Sequence, residues 1–313
     1  MNRIARFLPC FLFALTSSLM SCENENELPS QRPLSFATQV RELQSRASIV
    51  DGAEDIADFN TFTVWGNYNG EQAVFTSQVV NRSTANPTGI WEYTPPKYWV
   101  MTADNYAFSA FSPSGVGTPT VSGNMLTSLA FDSKAHQVDL MMAYIGVPKA
   151  DIGKTVVPVF NHALGAVNFT FRLKPGFNYV NTYRVTDIDF DNVYTSNSFA
   201  LNADNTITPG SPGGFGQSNS ITQFTGEAFT AEQVMTSDYL FVIPQQSANA
   251  ILHFTMDVNG EPVELVKENF SINWEMGKKT TYNITIDPLQ DFTITVETTA
   301  WDEPEIPVIE PEA

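Results

Sequence analysis

Along most of this chain, bulky apolar residues alternate with small or polar ones. The period is clearest in Phe62-Thr63-Val64-Trp65, Tyr106-Ala107-Phe108-Ser109-Ala110-Phe111, Val167-Asn168-Phe169-Thr170-Phe171, Ile188-Asp189-Phe190 and Phe292-Thr293-Ile294-Thr295-Val296. A repeat of two sends successive side chains to opposite sides of an extended backbone. Each run therefore predicts a strand with one buried face, the mark of antiparallel sheets. The polar faces are built largely from Thr, Ser and Asn, which suits strand and depresses helix. Turn signals separate the runs: Asn69-Gly70, Pro95-Pro96, Asn259-Gly260 and Met276-Gly277. Asn259-Gly260 lies between Leu252–Val258 and Pro262–Val266, which predicts a type I′ hairpin. One short helix is expected from Thr230 to Met235, opened by a threonine cap with Glu232 close behind. The run Pro209-Gly210-Ser211-Pro212-Gly213-Gly214-Phe215-Gly216 is expected to hold no regular element and to form a long loop. The pattern as a whole predicts an all-β chain with few short helices.

Composition narrows the function classes. The 313 residues suffice for one large or two medium domains, and 42% hydrophobic with 12% aromatic residues is too apolar for a disordered chain. Sixteen Lys and Arg against 34 Asp and Glu give a net charge of −18, which repels nucleic-acid phosphates and anionic lipid. No nucleic acid is expected as a partner. Both cysteines, Cys10 and Cys22, lie near the N-terminus, which leaves no disulfide framework or cysteine metal site for the body. The three histidines, His136, His162 and His253, are widely spaced and form no HxxxH pair, so neither zinc chemistry nor a cofactor is expected.

Residues 1–21 read as a signal peptide, with Arg3 and Arg6 before an apolar stretch from Phe7 to Leu15. Leu19-Met20-Ser21-Cys22 resembles a bacterial lipobox, which makes Cys22 the acylated first residue of the mature chain. The other reading is an ordinary cleaved signal followed by an incidental cysteine. Acylation gives the one mature thiol of an exported protein a reason to be there. Removing residues 1–21 takes away two arginines and no acid, leaving 14 basic and 34 acidic groups and a charge of −20. Glu23-Asn24-Glu25-Asn26-Glu27 resembles an acidic export signal of surface lipoproteins, and reads equally as a solvated tether.

Six further stretches carry a family resemblance. Trp91–Trp99 (WEYTPPKYW) followed by Tyr106–Pro113 (YAFSAFSP), Asp139–Pro148 (DLMMAYIGVP), Val156–Phe171 (VVPVFNHALGAVNFTF), Phe241–Gln245 (FVIPQ), Trp274–Tyr282 (WEMGKKTTY) and Trp301 occur in the order found in the Bacteroidetes fimbrillin-like proteins, the Mfa-like group of major and minor fimbrium subunits. The likeness spans roughly residues 34–302. Val100 stands where the family has proline, and Phe111 where it has tyrosine. The resemblance implies two tandem β-sandwich domains of transthyretin-like topology, placed at 47–153 and 154–313 with the step near Gly153-Lys154, after a lipidated leader at 22–46. It further implies a surface-exposed lipoprotein of the outer membrane and a structural or adhesive subunit of fimbriae. Many such proteins assemble with other subunits by donor-strand exchange, after an Arg-specific protease removes the leader and its first strand. Anchor and tip members are not processed in this way.

Carried onto this chain, the resemblance makes Leu34-Ser35-Phe36-Ala37-Thr38 the removable strand, with Leu34 and Phe36 on one face. Arg46 is the preferred cut and Arg41 the second; Arg32 is a poor site because Pro33 follows it. Donor residues are sought at the C-terminus: Phe292, Ile294 and Val296, or Ile306 and Val308 in a tail broken by Pro304, Pro307 and Pro311. The run at 291–299 also reads as a resident strand. A rival reading is a monomeric surface lipoprotein that binds carbohydrate or host protein, with Trp91, Tyr98 and Trp99 as stacking aromatics beside Tyr93. His162 is expected to be packed and hydrogen-bonded rather than catalytic. Asp187, Asp189 and Asp191 share a strand face, expected to be solvated, with a Ca²⁺ site as the alternative. No Gly-rich phosphate loop, GxSxG elbow or HExxH helix is present, and no enzyme is expected.

Overall fold

A computed structural model describes residues 32–40, 59–83, 91–174, 182–218, 235–287 and 291–300. In chain order the strands are β1 (Gln39–Val40), β2 (Thr61–Tyr68), β3 (Gln72–Arg82), β4 (Trp91–Glu92), β5 (Asn105–Ser112), β6 (Thr118–Ser122), β7 (Met125–Asp132), β8 (Met141–Pro148), β9 (Val159–His162) and β10 (Gly165–Leu173). They continue with β11 (Tyr183–Asp191), β12 (Val193–Leu201), β13 (Ile207–Pro209), β14 (Gly213–Gly216), β15 (Met235–Thr236), β16 (Leu240–Val242), β17 (Gln245–Val258), β18 (Glu261–Trp274), β19 (Lys278–Asp287) and β20 (Asp291–Ala300). A 3₁₀ turn at Lys149–Asp151 is the one helical element among the described residues. The chain is all-β, and each of the five alternating runs lies inside a strand.

The turns follow the expected chemistry. Asn259 and Gly260 both have positive φ, 55° and 93°, as a type I′ hairpin requires between β17 and β18. Asn69 and Gly70 do the same between β2 and β3, at 52° and 76°. The expected helix falls at residues 230–234, outside the described residues, and Met235 itself opens β15. The Pro-Gly run departs from the loop expectation. Its two ends form β13 and β14, which both hydrogen-bond to β12. Glycine backbones can pair wherever a long neighbouring strand holds them, and β12 supplies that template.

Four sheets form. The largest has the order β1-β9-β8-β5-β2-β3-β4. Its two faces carry different cores, as alternation demands. Phe62, Val64, Phe108 and Ala110 project into one core; Trp65, Phe111 and Met142 project into another. The second face packs against β7, β12 and β13, which carry Leu126, Leu129, Phe131, Phe199, Leu201 and Ile207. This second layer is built jointly: β7 pairs antiparallel with β12, from Ser128↔Ala200 to Asp132↔Ser196. Strands from both sides of the Gly153-Lys154 step therefore share one sheet.

The C-terminal core lies between β15-β10-β19-β20, joined by β16, and β11-β17-β18. Phe169, Phe171, Tyr282 and Ile284 from the first layer meet Ile188, Phe190, Phe254 and Trp274 from the second. Trp274 Nε1 donates to Tyr282 Oη at 3.0 Å, which satisfies a buried polar pair inside that core. Among the described residues two strand pairs are parallel, against the antiparallel expectation: β10 with β19 and β1 with β9. Alternation specifies faces, not direction. These pairs join segments distant in the chain, so no tight hairpin forces the antiparallel sense.

Candidate functional site

The segment Arg32–Val40 occupies a distinctive position. Among the described residues, the first face of the large sheet is covered by connecting chain rather than by another sheet: Leu34 and Phe36, then Trp99, Ala103, Ile152 and Val156. Leu34 and Phe36 are 3% and 4% exposed. The alternation Leu34-Ser35-Phe36 explains this, since it sends both apolar side chains inward while Ser35 Oγ reaches Thr155 Oγ1 at 3.1 Å. Phe36 sits among four aromatic rings. Its centroid lies 5.5 Å from Phe62, 5.6 Å from Phe75, 5.9 Å from Phe108 and 6.0 Å from Tyr93, with mostly edge-to-face geometry. Burying a phenylalanine in this way stabilises by about 1.5–3 kcal/mol, and the ring pairs add to it.

The backbone of this segment is fastened at separate points on two sides. Leu34 N–H donates to the Lys97 carbonyl at 2.8 Å, and Trp99 N–H donates to the Arg32 carbonyl at 3.0 Å. Across the other side, Val156 N–H donates to the Ser35 carbonyl and Ala37 N–H to the Val156 carbonyl, both at 2.9 Å. Tyr93 Oη donates to the Leu34 carbonyl at 2.5 Å. Burial pushes the Tyr93 phenol above the ordinary tyrosine value, which keeps it protonated and donating at neutral pH. Among the described residues, regular pairing is limited to Gln39↔Val159 and Val40↔Phe160, parallel, at the rim of the sheet. Thr38 Oγ1 and Trp99 Nε1 are buried at this seat without hydrogen-bond partners among the described residues. Each unpaired group costs about 1–3 kcal/mol. The segment is thus a well-packed plug on a short, imperfect ladder.

The other expected site residues are distributed as follows. Cys22, Arg41, Arg46, Ile306 and Val308 lie outside the described residues. Phe292, Ile294 and Val296 belong to β20, which pairs with β19 along its length, opposite Ile286, Ile284 and Tyr282. Ile294 packs against the C-terminal core, and Val296 is 54% exposed. The stacking platform does not form. Trp91 and Trp99 are 6% and 5% exposed, with Trp91 against Phe59 and Phe62 and Trp99 against Tyr106 and Phe108. Rings enclosed by other rings cannot stack on a sugar, and only Tyr98 of the three is at the surface.

His162 is buried, and its Nδ1 lies 3.0 and 2.9 Å from the two carboxylate oxygens of Asp139, a packed and hydrogen-bonded pair. The solvated face expected of the three aspartates is corrected for Asp189, which is 6% exposed. Burial pushes its carboxyl above the usual range, against a hydrogen bond from Gln217 and the proximity of His253. Among the described residues no three His, Cys, Asp or Glu side chains converge as a metal site. None of the described helices is long and apolar enough to cross a membrane. The aromatic cage around Phe36 was not anticipated. Its signal was present, because Phe62, Phe75 and Phe108 each sit in a strand pattern, but alternation does not say which side chain they surround.

A model of the fimbrillin-like family matches residues 45–301. The fold is similar to the solved structure of a candidate cell adhesion protein from Bacteroides ovatus, at 18% identity and a TM-score of 0.57 over 88% of this chain and 99% of that one. It is similar to a fimbrial protein from Bacteroides vulgatus, at 13% identity and a TM-score of 0.57 over 86% and 99%. A candidate cell adhesion protein from Bacteroides uniformis gives 16% identity and a TM-score of 0.54 over 88% and 100%. Curated proteins give no match.

Proposed function

Because the chain belongs to the fimbrillin-like family, we propose that it is a cell-surface fimbrial subunit whose N-terminal plug is exchanged for a strand from a neighbour. In this reading Cys22 is acylated and anchors the exported chain in the outer membrane. Cleavage at Arg46, or at Arg41, then separates the plug from the body. The observation that carries the proposal is the seating of Phe36: a ring filling an aromatic cage, on a segment whose described residues make only two positions of regular strand pairing. The family match begins at residue 45, beyond that segment.

Loss of the plug would uncover the Phe36 cage and the free edge of β9, an apolar slot beside unpaired backbone groups. An incoming strand restores both, with alternate side chains in the pockets. To copy the plug it must run parallel to β9 and set a large apolar group where Phe36 sits. β20 is held along its length by β19, so donating Phe292, Ile294 and Val296 would break that ladder. This makes Ile306 and Val308 in the tail the better donors.

The test is treatment of the mature chain, with Cys22 replaced by serine, with an Arg-specific protease. Intact mass and then size distribution are followed over days. One cut at Arg46 or Arg41 followed by an SDS-resistant ladder is expected. A chain that stays uncut, or is cut and remains monomeric, contradicts the assembly mechanism.

A further inference from the structure

The Pro-Gly run has a second consequence. β13 and β14 flank the arch at residues 210–212 along one edge of β12, while β7 lies along the other edge. Between this arch and the Gly115–Thr118 approach to β6 is an open cleft of about 460 Å³. Its floor is Ala130 to Asp132 and Ser196–Asn197, and His136 stands in its wall. The volume is in the range of small-molecule sites, roughly 300–1,000 Å³.

One wall is backbone held tightly against the floor. A Cβ at Gly117, where φ is +68°, would come 2.6 Å from the Ala130 carbonyl. Glycine is required at that position. The polar groups at the cleft surface are the Asp132 carboxylate, the His136 imidazole and the hydroxyls of Thr118, Ser196 and Ser211.

Phe215 stands outside the lining itself, two residues along β14 from Gly213, which belongs to it. At 61% it is the most exposed large apolar side chain among the described residues. It pairs across the ladder with Tyr194, itself 36% exposed, with ring centroids 5.1 Å apart. Tyr194 is two residues along β12 from Ser196, so its ring shares the outer face and stands about 7 Å from the cleft floor. An aromatic ring left in water beside a polar cleft is the combination that recognises a sugar. The ring meets the apolar face of a pyranose, and hydroxyl, carboxylate and imidazole groups meet its hydroxyls.

Charge selects among sugars. Asp132 lines the cleft, its Oδ1 accepting from the Lys134 and Ala135 amides; no lysine or arginine among the described residues lines it, and the whole chain carries −18. Nearby Lys134 Nζ donates to the Gln217 carbonyl at 3.1 Å. We propose that this cleft binds a neutral pyranose disaccharide, stacked on Phe215 and hydrogen-bonded by Asp132, His136 and Ser196.

The test is saturation-transfer difference NMR on the uncleaved mature chain, so that it is independent of assembly. The probes are lactose, cellobiose, maltose and N-acetyllactosamine, with 3′-sialyllactose as the anionic control. Transfer to ring protons of at least one neutral probe is expected, and none to the control. Phe215→Ala should weaken Kd at least about tenfold, the loss of roughly 1.4 kcal/mol, with Tm unchanged because the ring is exposed. Phe215→Trp should retain binding. Absence of transfer from all four neutral probes overturns the proposal. So does a Kd that survives Phe215→Ala, equal transfer to 3′-sialyllactose, or binding lost with Tyr98→Ala instead.

Discussion

The two halves of this molecule seal their cores differently. In the C-terminal half, two sheets face each other, and Phe169 is enclosed by Phe190, Phe171 and Tyr282, all on strands longer than eight residues. In the N-terminal half, one face of the seven-stranded sheet is closed by loops and by the segment at residues 32–40. Both use apolar rings at similar spacing, so the quality of packing is not the difference. What differs is the ladder beneath the ring. Phe169 cannot leave without breaking eight aligned positions between β10 and β19, whereas Phe36 is flanked, among the described residues, by isolated bridges and a two-residue strand. A core element becomes exchangeable when its side chains hold it more than its backbone does.

The comparison breaks most visibly when a ring is deleted on each side. Phe169→Ala should cost about 3–5 kcal/mol of global stability, read from the urea midpoint. Phe36→Ala removes a similar amount of packing but should leave the midpoint of the body largely in place. Once the loss exceeds the docking energy of the segment, the segment detaches and the cost stops growing. Limited proteolysis should then cut ahead of Phe59 at much lower enzyme concentration than in the unsubstituted chain. An equal drop in midpoint for both variants would remove the distinction.

A smaller effect sharpens the role of the seat. Tyr93→Phe deletes the hydrogen bond to the Leu34 carbonyl and should lower the opening free energy of the segment by about 1 kcal/mol. The folded pKa of Tyr93 is raised by burial. Its contribution is therefore complete below the unfolded tyrosine value and is lost as pH rises through the folded value. The difference between the two proteins should be constant from pH 6 to 9, roughly, and close only in stronger alkali. Opening measured by exchange at two such pH values checks it.

The smallest effect belongs to the C-terminal half. Asp189 has its carboxyl pushed up by burial, so the fold is favoured at pH below the unfolded aspartate value and is penalised as pH rises through the folded value. Asp189→Asn should remove that penalty and raise Tm at pH 7 by about 2 °C, with the gain vanishing in acid. A lower Tm at pH 7 would show that the carboxylate is needed charged.

The strands were legible because Phe62, Phe108, Phe169 and Phe190 each sit in a period of two, and the Asn-Gly turns because only such residues accept two positive φ values in succession. Less was legible about cover. Trp91 and Trp99 resemble a surface platform in sequence, and only the arrangement of Phe59, Phe62, Tyr106 and Phe108 around them makes them core. The pairing of β7 with β12 joins segments more than sixty residues apart, and no local period encodes such a register. Asp189 alternates like a solvent-facing residue, yet Gln217 reaches its side chain and Ser218 N–H donates to the Phe190 carbonyl beside it. At Asp189 the period set the side chain opposite to Ile188 and Phe190, and the fold decided what lay over it.

Native-state hydrogen exchange on the mature, uncleaved chain tests the central claim most directly. The amides of Leu34, Ala37 and Val156, which fasten the plug, should exchange together through an opening several kcal/mol below the global unfolding free energy, while amides of β10 and β19 exchange only with global unfolding. Exchange of all of them at the same global free energy would mean that the N-terminal segment is an ordinary part of the core and is not built to be replaced.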